Sequence, residues 1–120
     1  MTTAFIFPGQ GSQTIGMGLE LANRFSIARH VFQEVDDALS FKLSDMMFNG
    51  NMTELTQTQN AQPAIMAVSM AVVRVLEQET GHPLHKMVTC VAGHSLGEYS
   101  ALCAAGVLSI ADTAKLLRVR

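Results

Sequence analysis

The sequence carries little charge: 8 Lys and Arg stand against 10 Asp and Glu in 120 residues, a formal net charge of -2. No two Lys or Arg residues are adjacent. That excludes the basic stripe by which nucleic acid or an anionic membrane surface is held. Cysteine is nearly missing too. Cys90 and Cys103 make no Cys-x-x-Cys pair and no cluster with the four histidines, which argues against a disulfide framework or a zinc site. Both lie in apolar runs and read as reduced core residues, which fits a reducing, cytoplasmic setting. There is no long hydrophobic run. Residues 61–76 are broken by Pro63, Ser69 and Arg74, whereas a bilayer span needs roughly 20 apolar residues. The start, Met1 to Gly9, has no basic n-region and no Arg-rich amphipathic stretch, so it does not read as a signal or transit peptide. Repeats, linkers and low-complexity tracts are lacking. What remains is a globular composition, 48% hydrophobic and 15% charged, long enough for one domain with a real core.

The pattern along the chain is that of an α/β protein. Residues 4–7 are a short apolar run stopped by Pro8-Gly9, which predicts a buried strand ending in the turn Gly9-Gln10-Gly11-Ser12-Gln13. A short helix is expected over 17–24. Ser26 can cap a second, with Val31, Phe32, Val35, Ala38 and Leu39 inward and Asp36 and Asp37 facing solvent. Residues 41–58 read as loop, with a turn of helix at 51–55. Residues 60–80 give the best helix, with Pro63 in its first turn and Ile65, Val68, Val72, Val75 and Leu76 at helical spacing. Gly81 ends it and Pro83 prevents it resuming. Residues 87–92 are a continuous apolar run, expected as a strand buried on both faces. Helices follow over 96–105, closed by Gly106, and over 109–120, with Ile110, Ala114 and Leu117 inward. Strand, helices, strand, helices implies parallel pairing. Two strands alone make an unusually small sheet.

Gly93-His94-Ser95-Leu96-Gly97 lies between the second strand and the helix after it. Gly-x-Ser-x-Gly in that position is a nucleophile elbow: a turn so tight that only glycine fits on either side lifts the serine hydroxyl clear of the sheet. The Leu96 N–H, at the helix start, can face an oxyanion. The bare pattern arises by chance in roughly 4% of chains this long, so the flanking strand and helix carry much of the signal. A structural glycine turn with an N-cap serine is the competing reading. A serine nucleophile needs a base. His94 is adjacent and points elsewhere, and His82 and His85 precede the strand. His30 reads as a surface helix residue. The expectation is that the base is missing from these residues.

Three motifs resemble the malonyl-CoA:acyl-carrier-protein transacylase family. They are Phe5-Ile6-Phe7-Pro8-Gly9-Gln10-Gly11-Ser12-Gln13, Thr58-Gln59-Asn60-Ala61-Gln62-Pro63-Ala64, and Gly93 to Leu102 around the elbow. Acyltransferase domains of polyketide and fatty-acid synthases share the pattern, and the resemblance covers essentially all 120 residues. It implies that Ser95 attacks the thioester of malonyl-CoA, holds the malonyl group as an ester, and passes it to the phosphopantetheine thiol of acyl carrier protein. Coenzyme A enters as substrate, with no resident cofactor or metal. Gln10 and Leu96 would supply the oxyanion-hole N–H groups. Arg120 would pair with the malonyl carboxylate, since a planar guanidinium grips a carboxylate through two parallel bonds and loses its partner when acetyl replaces malonyl.

The family's chain is more than twice this long, and its catalytic histidine and ferredoxin-like small subdomain come later. The resemblance therefore implies that residues 1–120 are the N-terminal portion of the large subdomain. The fold expected is a partial α/β-hydrolase-like parallel sheet with flanking helices, truncated before the small subdomain and inactive alone for want of its C-terminal half. An esterase-type serine hydrolase shares the elbow, and a non-catalytic remnant is the third possibility. Gln10 to Gln13 and Arg120 weigh against the hydrolase, whose acyl pocket would be apolar.

Overall fold

The computed structural model describes residues 4–88, 90–93 and 95–119. Among them, strand β1 (Ala4–Phe7) is followed by α1 (Leu19–Arg24), α2 (Ser26–Leu39), α3 (Leu43–Asn49), α4 (Met52–Thr56), α5 (Thr58–Thr80) and α6 (Leu84–Met87). Strand β2 (Cys90–Gly93), α7 (Leu96–Ala104) and α8 (Ile110–Val119) complete the order. β1 and β2 pair in parallel, with Phe7 opposite Gly93. The chain is α/β, mostly helical around a small parallel sheet.

Helix α5 is the centre of the molecule and packs against α2, α7 and α8. Residues 60–67 are buried on every side, including Asn60 and Gln62. Its alanines at 61, 64, 67 and 71 let neighbouring helices come close. The expected stripe is therefore only part of its buried surface, and Val72 stays 39% exposed beside β1. Helix α2 buries Ala28, Val31, Phe32 and Val35, one stripe at helical spacing. Helix α8 buries Ile110, Ala114 and Leu117 as its periodicity predicted.

Several expectations are corrected. Ser26 is the first residue of α2, not its cap; Phe25 holds the cap position in extended backbone, with no side-chain bond. The stretch after Phe41 is not loop, because α3 occupies it. Its cap comes from α2: the Asp36 carboxylate accepts from Ser44 N at 3.0 Å and from Ser44 Oγ at 2.5 Å. Asp36 is thus half-buried and engaged rather than solvent-facing. Helix α4 is capped by Asn51, whose Oδ1 accepts from Glu54 N at 2.9 Å. Gly81 ends α5 with φ of 73°, yet a one-turn helix, α6, begins directly after Pro83. That turn takes Met87 out of the expected strand.

β2 is accordingly shorter than its apolar run and is not buried on both faces. Phe5, Phe7 and Val91 turn toward the core, while Ala4, Ile6, Cys90 and Ala92 are exposed. Cys90 is thus a surface thiol, against expectation, and Cys103 is buried. Burial pushes the Cys103 thiol above its ordinary value, opposed by a hydrogen bond with Thr113.

Candidate functional site

The end of β2 and the start of α7 meet at Ser95, whose backbone has φ 57° and ψ -112°. That region of conformational space is one that glycine alone occupies freely, and a non-glycine residue there carries strain of about 1–3 kcal/mol. Strain of that size persists only where the surroundings over-determine it, and here two glycines do so. A Cβ on Gly93 would lie 2.0 Å from the carbonyl oxygen of Gly97 and 2.7 Å from Glu98 N. One on Gly97 would lie 2.4 Å from the carbonyl oxygen of Phe7 and 3.3 Å from that of Pro8. Both contacts are with main chain, which cannot swing aside. The first glycine lets the turn close, and the second lets α7 press against the end of β1. Ser95 O then accepts from Glu98 N at 3.0 Å, starting the helix.

The parallel register brings the loop after β1 to the same edge. Phe7 faces Gly93, so residues 8–13 leave the sheet beside Ser95, at the carboxyl ends of both strands. The loop is braced locally: Gly11 N donates to Gln13 Oε1 at 2.8 Å, and Ser12 Oγ donates to the Gly9 carbonyl at 3.0 Å. Gln10 is tied to α5 as well. Its Nε2 donates to Thr58 Oγ1 at 3.2 Å, and its Oε1 accepts from Gln62 Nε2 at 3.3 Å. Leu96 is fully buried as the first residue of α7. Its N–H belongs to the first helical turn, where main-chain donors have no acceptor inside the helix. The structure thus gathers Gln10, Ser95 and Leu96 at one edge of the sheet.

Arg120 lies outside the described residues, as does His94. Arg118, two residues before Arg120, is described. Its guanidinium lies 4.7 Å from the Phe41 ring centroid. Nη1 donates to the Gln59 carbonyl at 3.1 Å and makes a short bond to Asn60 Oδ1. Pro63 explains the first bond. It has no N–H to give the carbonyl four residues back, and that carbonyl is Gln59's. The end of α8 is thereby anchored to the start of α5, on the same turn that holds Gln10. Sequence reading missed Arg118, Gln62 and Thr58; the last two were visible only as members of a motif.

Of the described histidines, His82 and His85 precede β2, at the end of the strand away from Ser95, and His30 lies on α2. All three are exposed. Among the described residues no three His, Cys, Asp or Glu gather as a metal site. No described helix is long and apolar enough to cross a membrane.

Residues 4–120 match the acyl transferase domain family. A malonyl CoA-acyl carrier protein transacylase of Bacillus subtilis is 52% identical over 117 residues, 98% of this chain and 28% of that protein. The crystal structure of an acyl-carrier-protein S-malonyltransferase from Bartonella henselae superposes with a TM-score of 0.96 at 66% identity, over 99% of this chain and 38% of that one. A malonyl-transacylase solved in complex with its type II PKS acyl-carrier protein superposes with a TM-score of 0.90 at 41% identity, over 99% of this chain and 37% of that one. The chain spans only about a third of the length of these proteins, from 28% to 38%.

Proposed function

Since the chain belongs to the acyl transferase domain family, we propose that it carries the nucleophile and oxyanion side of a site that moves a malonyl group from coenzyme A to acyl carrier protein in fatty-acid synthesis. The observation that carries this reading is Ser95 held at φ 57° between Gly93 and Gly97, beside the Gln10 loop. Ser95 Oγ attacks the thioester carbonyl of malonyl-CoA. A C–O bond forms, the C–S bond breaks, and coenzyme A leaves as its thiol with the proton the hydroxyl loses. The phosphopantetheine thiol of acyl carrier protein then attacks the malonyl ester, forming a new thioester and restoring the serine. In each step the carbonyl oxygen becomes an oxyanion, received by the main-chain N–H groups of Gln10 and Leu96. Loss of one such donor typically costs about 3 kcal/mol of transition-state stabilisation.

Arg120 pairs with the free malonyl carboxylate. Arg118, two residues earlier in the sequence, is anchored on Gln59 and Asn60. The general base is a histidine outside these residues, and residues 1–120 are the first part of the large subdomain of an α/β-hydrolase-like fold. The 120-residue chain alone therefore turns malonyl-CoA over negligibly, although its serine is acylated slowly. Acyl selection tests the reading. Malonyl-CoA is expected to label Ser95 faster than acetyl-CoA does, and Arg120→Ala to remove the preference. Equal labelling by the two thioesters in the unmodified chain would overturn it.

A further inference from the structure

Gln62 is 6% exposed, with its amide facing the Gln10 loop. It is one helical turn beyond Thr58, so both residues lie on one face of α5. Gln10 is held between them, accepting from Gln62 Nε2 and donating to Thr58 Oγ1. These two bonds tie the loop to α5, while the Gly11–Gln13 and Ser12–Gly9 bonds brace it internally.

Gln62 is costly where it stands. Its Oε1 is buried with no hydrogen-bond partner, and an unsatisfied buried acceptor is penalised where an apolar residue of the same shape would not be. Packing alone would be served better by leucine. What leucine could not do is orient Gln10.

We infer that Gln62 is a positioning residue: through the chain Gln62–Gln10–Thr58 it fixes the loop that aims the Gln10 N–H at the oxyanion. The inference rests on the reading of Ser95 as nucleophile and Gln10 as oxyanion donor. Gln62 acts entirely through Gln10. Its contribution is to set the donor in place before the oxyanion forms, so that no reorganisation is needed during reaction.

The test uses the full chain and p-nitrophenyl acetate, an activated ester whose p-nitrophenolate leaves without protonation by a general acid. Ser95 acylation is followed by intact mass, with Ser95→Ala as background. Gln62→Leu is expected to lower the acylation rate constant about tenfold, because a misplaced donor loses part of its effect. Its urea midpoint should be equal to or above that of the parent. In a Gln10→Ala background the same substitution should cost less than about twofold, since the side chain it acts through is gone. Thr58→Val, at an exposed position, gives the second variant should leucine disturb folding, and its effect should vanish in the same background. A Gln62→Leu chain as reactive as the parent would overturn the inference. So would a tenfold loss that persists without the Gln10 side chain. Labelling of the parent no faster than Ser95→Ala would instead overturn the nucleophile reading, and the inference with it.

Discussion

Replacing Gly97 by alanine adds one methyl group at the contact between α7 and the end of β1. That carbon would lie 2.4 Å from the Phe7 carbonyl oxygen, while a relaxed C···O contact is about 3.3 Å or more. The two segments must part by roughly 1 Å, because the opposing atom is main chain. Overpacking of this kind costs about 1–3 kcal/mol. Alanine returns about 1 kcal/mol through its better helix propensity. The net loss of stability should be about 0–2 kcal/mol, read as a lowered urea midpoint. The functional loss should be larger, because a displacement of about 1 Å at a reacting centre can cost about 100-fold in rate. Parting α7 from β1 moves Ser95 away from the Gln10 loop. Acylation of Ser95 by p-nitrophenyl acetate should therefore fall further than stability does. Gly81→Ala is the comparison, with nothing within 4 Å of its added Cβ; it should lose stability through its φ of 73° and keep Ser95 reactive. A Gly97→Ala chain of undiminished stability and reactivity would refute the claim that this contact sets the site.

Ser95→Gly should stabilise the chain by about 1 kcal/mol by relieving the positive φ, while abolishing acylation; Ser95→Ala should abolish acylation without that gain. Arg118→Ala should cost about 1–3 kcal/mol in urea unfolding by stripping partners from Gln59 and Asn60, and less in a Pro63→Ala background, where residue 63 regains an N–H for the Gln59 carbonyl. The raised Cys103 thiol favours the protonated folded state. Its contribution is complete below the ordinary value of 9.0 and is lost as pH rises through the higher folded value. The urea midpoint should thus fall more steeply above pH 9 in the parent than in Cys103→Ala. A thiol reagent at neutral pH should modify Cys90 well before Cys103.

Much of the site was legible because its causes are local. Gly-x-Ser-x-Gly states its own sterics, and Gly93 and Gly97 meet the clashes that the pattern implies. Helices α5 and α8 followed from spacing. Where the reading failed, the deciding partner lay elsewhere in the chain. Helix α3 looked like loop because its cap, Asp36, belongs to the preceding helix. The apolar run 87–92 predicts a strand buried on both faces, whereas Cys90 and Ala92 are exposed and Met87 lies in α6. Gln62 and Arg118 meet their partners 52 and 58 residues away. No periodicity reports contacts of that kind. Pro63 held a hint, since a proline within a helix leaves a carbonyl that some donor must satisfy.

Ser95 is proposed to take the malonyl group. The direct measurement is peptide mass mapping of the chain after prolonged incubation with malonyl-CoA. One slow malonyl adduct is expected, on Ser95 and missing from the Ser95→Ala chain. An adduct on Cys90 or another side chain, with Ser95 unmodified, would contradict it.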